Sequence, residues 1–113
     1  DFPQGFLMSL RSSLFRTKLE ANPGNDLFRF SLAQALWDEE GWEECIEQLQ
    51  LCLQKRPDWM IASLLLAKVK IKTGDMEDAQ RILKGTVRMA KEQDHEGPEE
   101  EARALLAECL AGR

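Results

Sequence analysis

The sequence predicts an all-α protein built as an array of helical hairpins, and three observations predict it. The chain resembles itself at an offset of thirty-four residues. Apolar residues recur at helical spacing in stretches broken at Gly41 and Gly74. Proline-glycine signals, Asn22-Pro23-Gly24 and Gly97-Pro98, punctuate the two ends of the periodic region.

The offset aligns Pro23 with Pro57, Leu32-Ala33 with Leu66-Ala67, Trp42 with Met76, Cys45 with Ala79, Leu49 with Leu83 and Leu53 with Val87. Large residues fall on large and small on small, as expected when each unit buries the same face against its neighbour. A single domain over 1–113 follows, with a leading helix at 6–22, repeats at 26–59 and 60–93, and a closing helix at 98–111.

In chain order, the leading helix carries Phe6, Leu7, Leu10, Leu14 and Phe15, and reads as the second half of a degenerate repeat. The first repeat pairs helices at 26–39 and 42–55, the second at 59–73 and 76–92. Asp58, after Pro57, is a candidate N-cap, and Asp75 with Asp78 three residues on resembles a capping box. The closing helix opens with proline in its first turn and with Glu99, Glu100 and Glu101 near the positive end of its dipole. Its apolar positions are Ala102, Leu105, Leu106, Cys109 and Leu110, while Glu101, Arg103, Glu108 and Arg113 face water.

Composition narrows the function classes. A chain of 113 residues, 43% hydrophobic and 31% charged, has room for one folded body and is not disordered or collagen-like. Its most apolar stretch, 60–71, is interrupted by Lys68 and Lys70, so no membrane span is expected. A net charge of −5 argues against nucleic acid, which needs a concentrated cationic face. The chain opens at Asp1 without an initiator methionine or a basic-apolar leader, the mark of a processed or excised piece. Of the three cysteines, Cys45 and Cys52 stand seven residues apart on one helix, roughly 10 Å at the helical rise, too far for a disulfide or a shared metal. A reducing, cytoplasmic location is expected.

These residues resemble the tetratricopeptide repeat, a helix-turn-helix of thirty-four residues with Leu-Gly/Ala in its first helix and Ala, a large apolar residue and Pro later. Leu32-Ala33 and Leu66-Ala67 fill the first element. Trp42, Cys45, Leu49, Cys52 and Pro57 fill the remainder in one repeat, and Met76, Ala79 and Leu83 in the other. The chain departs from the pattern at Arg29 and Ser63, where an aromatic precedes Leu-Ala, at Lys70, and at Lys91 in the place of the closing proline. The resemblance, closest to small stand-alone bacterial members, implies a right-handed α-solenoid with a capping helix that binds protein and uses no cofactor.

Catalytic motifs are missing from the sequence. His95 is the only histidine and lies in a polar connection, there is no tyrosine, and no Gly-rich phosphate loop, HExxH or paired CxxC occurs. Cys45 and Cys52 occupy small-residue positions between helices, and the acids at 38–40 and 43–44 read as a solvated face. No catalytic residue and no metal site is expected, and enzyme activity ranks last among the function classes.

The first helix of each repeat carries two apolar stripes. Leu32, Ala33 and Leu36 form the one that packs on neighbouring helices. Nearly opposite lie Leu27, Phe30, Gln34, Trp37 and Asp38, with Ile61, Leu64, Lys68, Ile71 and Lys72 as their counterparts. In the resembled family these positions line the concave groove. Three occupants suit it: a helix of the chain itself, which makes these residues core; an amphipathic helix or peptide of a partner protein; or a second copy in a homodimer. Trp37 is the expected anchor, with Asp38, Lys68 and Lys72 at the edges. Some members of the family grip chaperone carboxylate tails with a lysine and asparagines, but Phe30, Gln34 and Leu65 stand in those places here. Charge is segregated as well, acidic over 38–47 and mainly basic over 68–91.

Overall fold

The computed structural model describes the backbone of residues 4–112 and the side chains of residues 10–112. The apolar roles expected of Phe6 and Leu7, and the solvent-facing role of Arg113, lie outside the described side chains. Six helices and no strand occur among the described residues: α1 (Gln4–Ala21), α2 (Asp26–Asp38), α3 (Trp42–Lys55), α4 (Met60–Lys72), α5 (Met76–Glu92) and α6 (Glu96–Ala111). None is long and apolar enough to cross a membrane. The helices group into two compact units, α1 to α3 up to Lys55 and α4 to α6 from Arg56.

In the first unit α2 packs on both α1 and α3. It starts because Asn25 offers its side-chain oxygen to the Phe28 N–H at 2.9 Å, a cap worth about 1 kcal/mol over alanine. Its buried residues, Leu32, Ala33, Ala35 and Leu36, are the expected packing stripe. Opposite them α3 buries Cys45, Leu49 and Cys52, and the Cys45 thiol donates to the Ala33 carbonyl at 3.3 Å. Small residues at Ala33 and Cys45 allow that approach, which is why cysteine substitutes for alanine there. From α1, Ser12 and Leu19 are buried, and Arg16 forks onto Glu44 of α3 at 2.7 and 2.9 Å.

In the second unit α5 packs on α4 and α6, and α6 also touches α4. Leu64 and Ala67 of α4, Ala79 and Leu83 of α5, and Ala102 and Cys109 of α6 form one buried cluster. Ile71, Met76, Ile82, Val87, Leu105 and Leu106 close around it. Helix α4 is buried almost all round, from Met60 to Val69, which is the consequence of its two apolar stripes.

Two cap expectations change in detail. The N-cap of α4 is Trp59, with no side-chain cap hydrogen bond, because the helix starts one residue later than an Asp58 cap requires. Asp75 does cap α5, accepting the Asp78 N–H at 3.2 Å, but the return half of the box is not made. The Asp78 carboxylate is held by Arg81 at 2.6 and 2.8 Å and by Lys70 at 3.1 Å instead, while the Asp75 N–H donates to the Lys70 carbonyl.

Three helices end alike. After α2, α4 and α5 the residue two beyond the last helical one has positive φ: Glu40 at 60°, Gly74 at 84° and Asp94 at 56°. Paired bonds run back in each case, Gly41 to Leu36 and Glu40 to Trp37, Asp75 to Lys70 and Gly74 to Ile71, His95 to Ala90 and Asp94 to Lys91. These are Schellman closures, which satisfy the last carbonyls and need a left-handed residue. The sequence suggested Gly41 as the breaker after α2. The left-handed residue is Glu40, and Gly41 serves a different need, since a Cβ there would sit 3.3 Å from Leu36 Cδ2.

Candidate partner-binding surface

The residues expected to form the groove are gathered on two helices, one in each unit. On α2, Leu27 is 65% exposed, Phe30 and Trp37 are half-buried, and Gln34 and Asp38 are exposed. Trp37 is steadied across the α2–α3 turn by Trp42, with ring centroids 5.2 Å apart and an edge-on angle of 62°. Asp38 accepts from Arg11 of α1 at 2.6 Å, an exposed pair that fixes position more than it stabilises.

On α4 the counterparts divide. Ile61 is 58% exposed and Lys72 is exposed, whereas Leu64 is buried in the core and Ile71 packs against it. Lys68 is turned toward α6, where it meets Glu101 at 2.8 Å. Helix α6 thus meets α4 at Lys68 and in the core around Leu64, and in the first turn of α4 only Ile61 stays exposed.

Beside Ile61 is an open hollow of about 240 Å³ lined by Arg56, Asp58, Trp59, Met60, Ile61, His95 and Pro98. The Arg56 guanidinium stands 4.5 Å from the centre of the Trp59 ring, a cation–π contact between two residues of the lining. Sequence reasoning passed over Trp59 and Arg56. Their signal was an aromatic and an arginine bracketing Pro57-Asp58 just ahead of Ile61, and the role of α6 in forming the rim has no counterpart in the repeat pattern.

The thiols offer little nucleophilic chemistry. All three cysteines are buried, and burial pushes the Cys45 pKa up to about 12, which keeps it protonated at neutral pH. The Asp78 carboxyl of α5 feels opposing influences. Burial raises its pKa, but hydrogen bonds and attraction from Arg81 and Lys70 outweigh that and leave it below the ordinary value. Among the described residues no group of His, Cys, Asp and Glu is arranged to hold a metal ion.

No family model and no curated protein matches the sequence. Solved structures do match the fold. A protein of Bordetella parapertussis determined in solution superposes with a TM-score of 0.79 at 19% identity, over 89% of this chain and 88% of that one. The TPR2B domain of yeast Sti1, solved in complex with pHsp70, superposes with a TM-score of 0.77 at 16% identity, over 96% of this chain and 98% of that one. With six helices paired in this order and two solved folds superposing over most of their length, the chain has the tetratricopeptide-repeat fold.

Proposed function

We propose that the protein is a non-catalytic interaction module that takes amphipathic helices or peptides of another protein on the outer apolar face of the first helix of each repeat, α2 in one unit and α4 in the other. The observation that carries this reading is a repeated exposure. Leu27 and Ile61 stand thirty-four residues apart at the same repeat position and are the two most exposed large apolar side chains of the described residues, at 65% and 58%. Scattered exposed leucines are ordinary, but the same apolar exposure at the same place in two repeats is what a binding face requires.

The complex of the Sti1 domain with pHsp70 supports a polypeptide ligand for this fold. The contact residues proposed are Leu27, Phe30, Gln34, Trp37 and Asp38 on α2 and Ile61, Lys68, Ile71 and Lys72 on α4, with Leu64 beneath the α4 residues in the core of the second unit. The hollow beside Ile61 receives one large apolar side chain of the ligand, and the charged edges favour an apolar helix with charged flanks. A reducing cytoplasm fits the buried, unoxidised thiols.

Selection from a displayed peptide library tests the reading. Enriched peptides are expected to carry apolar residues at helical spacing and to bind Leu27→Ser and Ile61→Ser variants at least about tenfold more weakly, the cost of roughly 1.4 kcal/mol of apolar contact. Enriched peptides that bind both variants as well as the parent would refute it. Self-association through the same face is the second reading, and it predicts a dimer that persists in high salt and dissociates in those variants.

A further inference from the structure

Helix α5 displays a cationic stripe in a chain whose net charge is −5. Lys84, Arg88 and Lys91 are exposed at spacings of four and three, so they lie on one helix face over about 10 Å. None of them takes part in an ion pair of the described residues, whereas Arg81 on the same face is bound to Asp78. Beside the stripe is Gly85, in mid-helix, and a Cβ built there meets nothing within 4 Å. A mid-helix glycine weakens a helix relative to alanine, and no neighbour inside the molecule asks for it. It leaves a notch flanked by Lys84 and Arg88.

One repeat earlier, the same face of α3 has the opposite character. Glu43 and Glu47 are exposed and enter no ion pair of the described residues. Leu51 stands one turn further on, 43% exposed, at the position thirty-four residues before Gly85. One helix face therefore offers a knob with acids on its N-terminal side, and the other a notch with bases on its C-terminal side.

We infer that α3 of one copy docks antiparallel on α5 of a second copy, with Leu51 in the notch at Gly85. At the helical rise Glu47 lies about 6 Å from Leu51 along α3, and Arg88 lies about 4.5 Å from Gly85 along α5. Glu43 and Lys91 follow at about 12 and 9 Å. In the antiparallel register each acid meets a base within side-chain reach. Knob and notch are different surfaces and each copy carries both, so every contact joins α3 of one copy to α5 of another. Two crossing helix faces bury less than a standard interface, which makes the association weak, fast and sensitive to salt.

Sedimentation of the whole chain over a concentration series tests it. In low salt the weight-average mass of the parent is expected to rise with concentration, and to return to that of one chain in high salt. Arg88→Glu with Lys91→Glu, or Glu43→Lys with Glu47→Lys, is expected to weaken association by about tenfold or more, because attraction becomes repulsion at two pairs. An equal mixture of the two reversed variants is expected to associate again. Gly85→Gln, which fills the notch without changing charge, is expected to raise the melting temperature and abolish association. A parent that stays a single chain in low salt, a mass that grows with salt, or a mixture of reversed variants that stays apart would overturn the inference. So would loss of association in Leu27→Ser with Ile61→Ser, which would assign self-contact to the groove; the proposed docking leaves those variants unaffected.

Discussion

Glu40 holds a φ of 60° at a place where the next repeat has Gly74 at 84°. A side chain in the left-handed region costs roughly 1–2 kcal/mol, which glycine avoids, although glycine also adds freedom to the unfolded chain. Glu40→Gly is therefore expected to stabilise the fold by up to about 1 kcal/mol, and Gly74→Ala to destabilise it by a similar amount, both read by urea denaturation. Cys45 provides a second test at this scale. Burial raises its pKa from 9.0 to about 12, so the native state favours the neutral thiol. Its contribution is complete below pH 9.0 and is lost as pH rises toward 12. Alkaline unfolding of the parent should set in earlier than that of Cys45→Ala, each measured against its own neutral-pH stability.

Helix α4 shows what a repeat pattern conveys and what it omits. The helices themselves were legible, because apolar spacing, Gly41, Gly74 and the prolines all mark the same boundaries to within a residue or two. Periodicity also assigned Leu64 to the outer stripe beside Ile61. It could not say that α6 lies over Leu64, because a helix sequence shows which residues share a face and not which neighbour covers it. That difference is measurable. Leu64→Ala should cost about 2–5 kcal/mol of stability, as for a buried leucine, while Ile61→Ala should cost well under 1 kcal/mol. Similar costs at the two positions would contradict the cover by α6. Asp78 belongs to this scale too, since it joins α5 to α4 through Lys70. Its lowered pKa means stabilisation present above the ordinary 3.8 and lost as pH falls through the native value. An acid titration followed by circular dichroism should show a shallower loss of structure for Asp78→Asn than for the parent below about pH 4. The Glu40 closure was hidden for a related reason, because Gly41 next door carried the stronger turn signal and its use in close packing appears only in three dimensions.

For the whole molecule, the fold was legible because one helical hairpin is written twice, and two spellings of a pattern constrain each other. The surface was legible only in part. Leu27 and Ile61 belong to the repeat and could be found from it, whereas Trp59, Arg56 and Pro98 come together through α6, which stands outside the two repeats. Specificity of the proposed binding is accordingly expected to depend more on the unrepeated residues around the hollow than on the repeated ones. Arg56→Ala or Trp59→Ala should change which peptides are selected, whereas Leu27→Ser should weaken all of them, as sequencing of the enriched pools would show.

The three buried thiols are divided between the units, Cys45 and Cys52 before Lys55 and Cys109 after Arg56. A thiol that water cannot reach reacts only when the structure around it opens, so the molecule contains its own pair of clocks. An alkylating reagent applied under native conditions would add two mass increments when the first unit opens and one when the second does. The order in which those increments arrive would tell whether the two halves unfold together or one at a time.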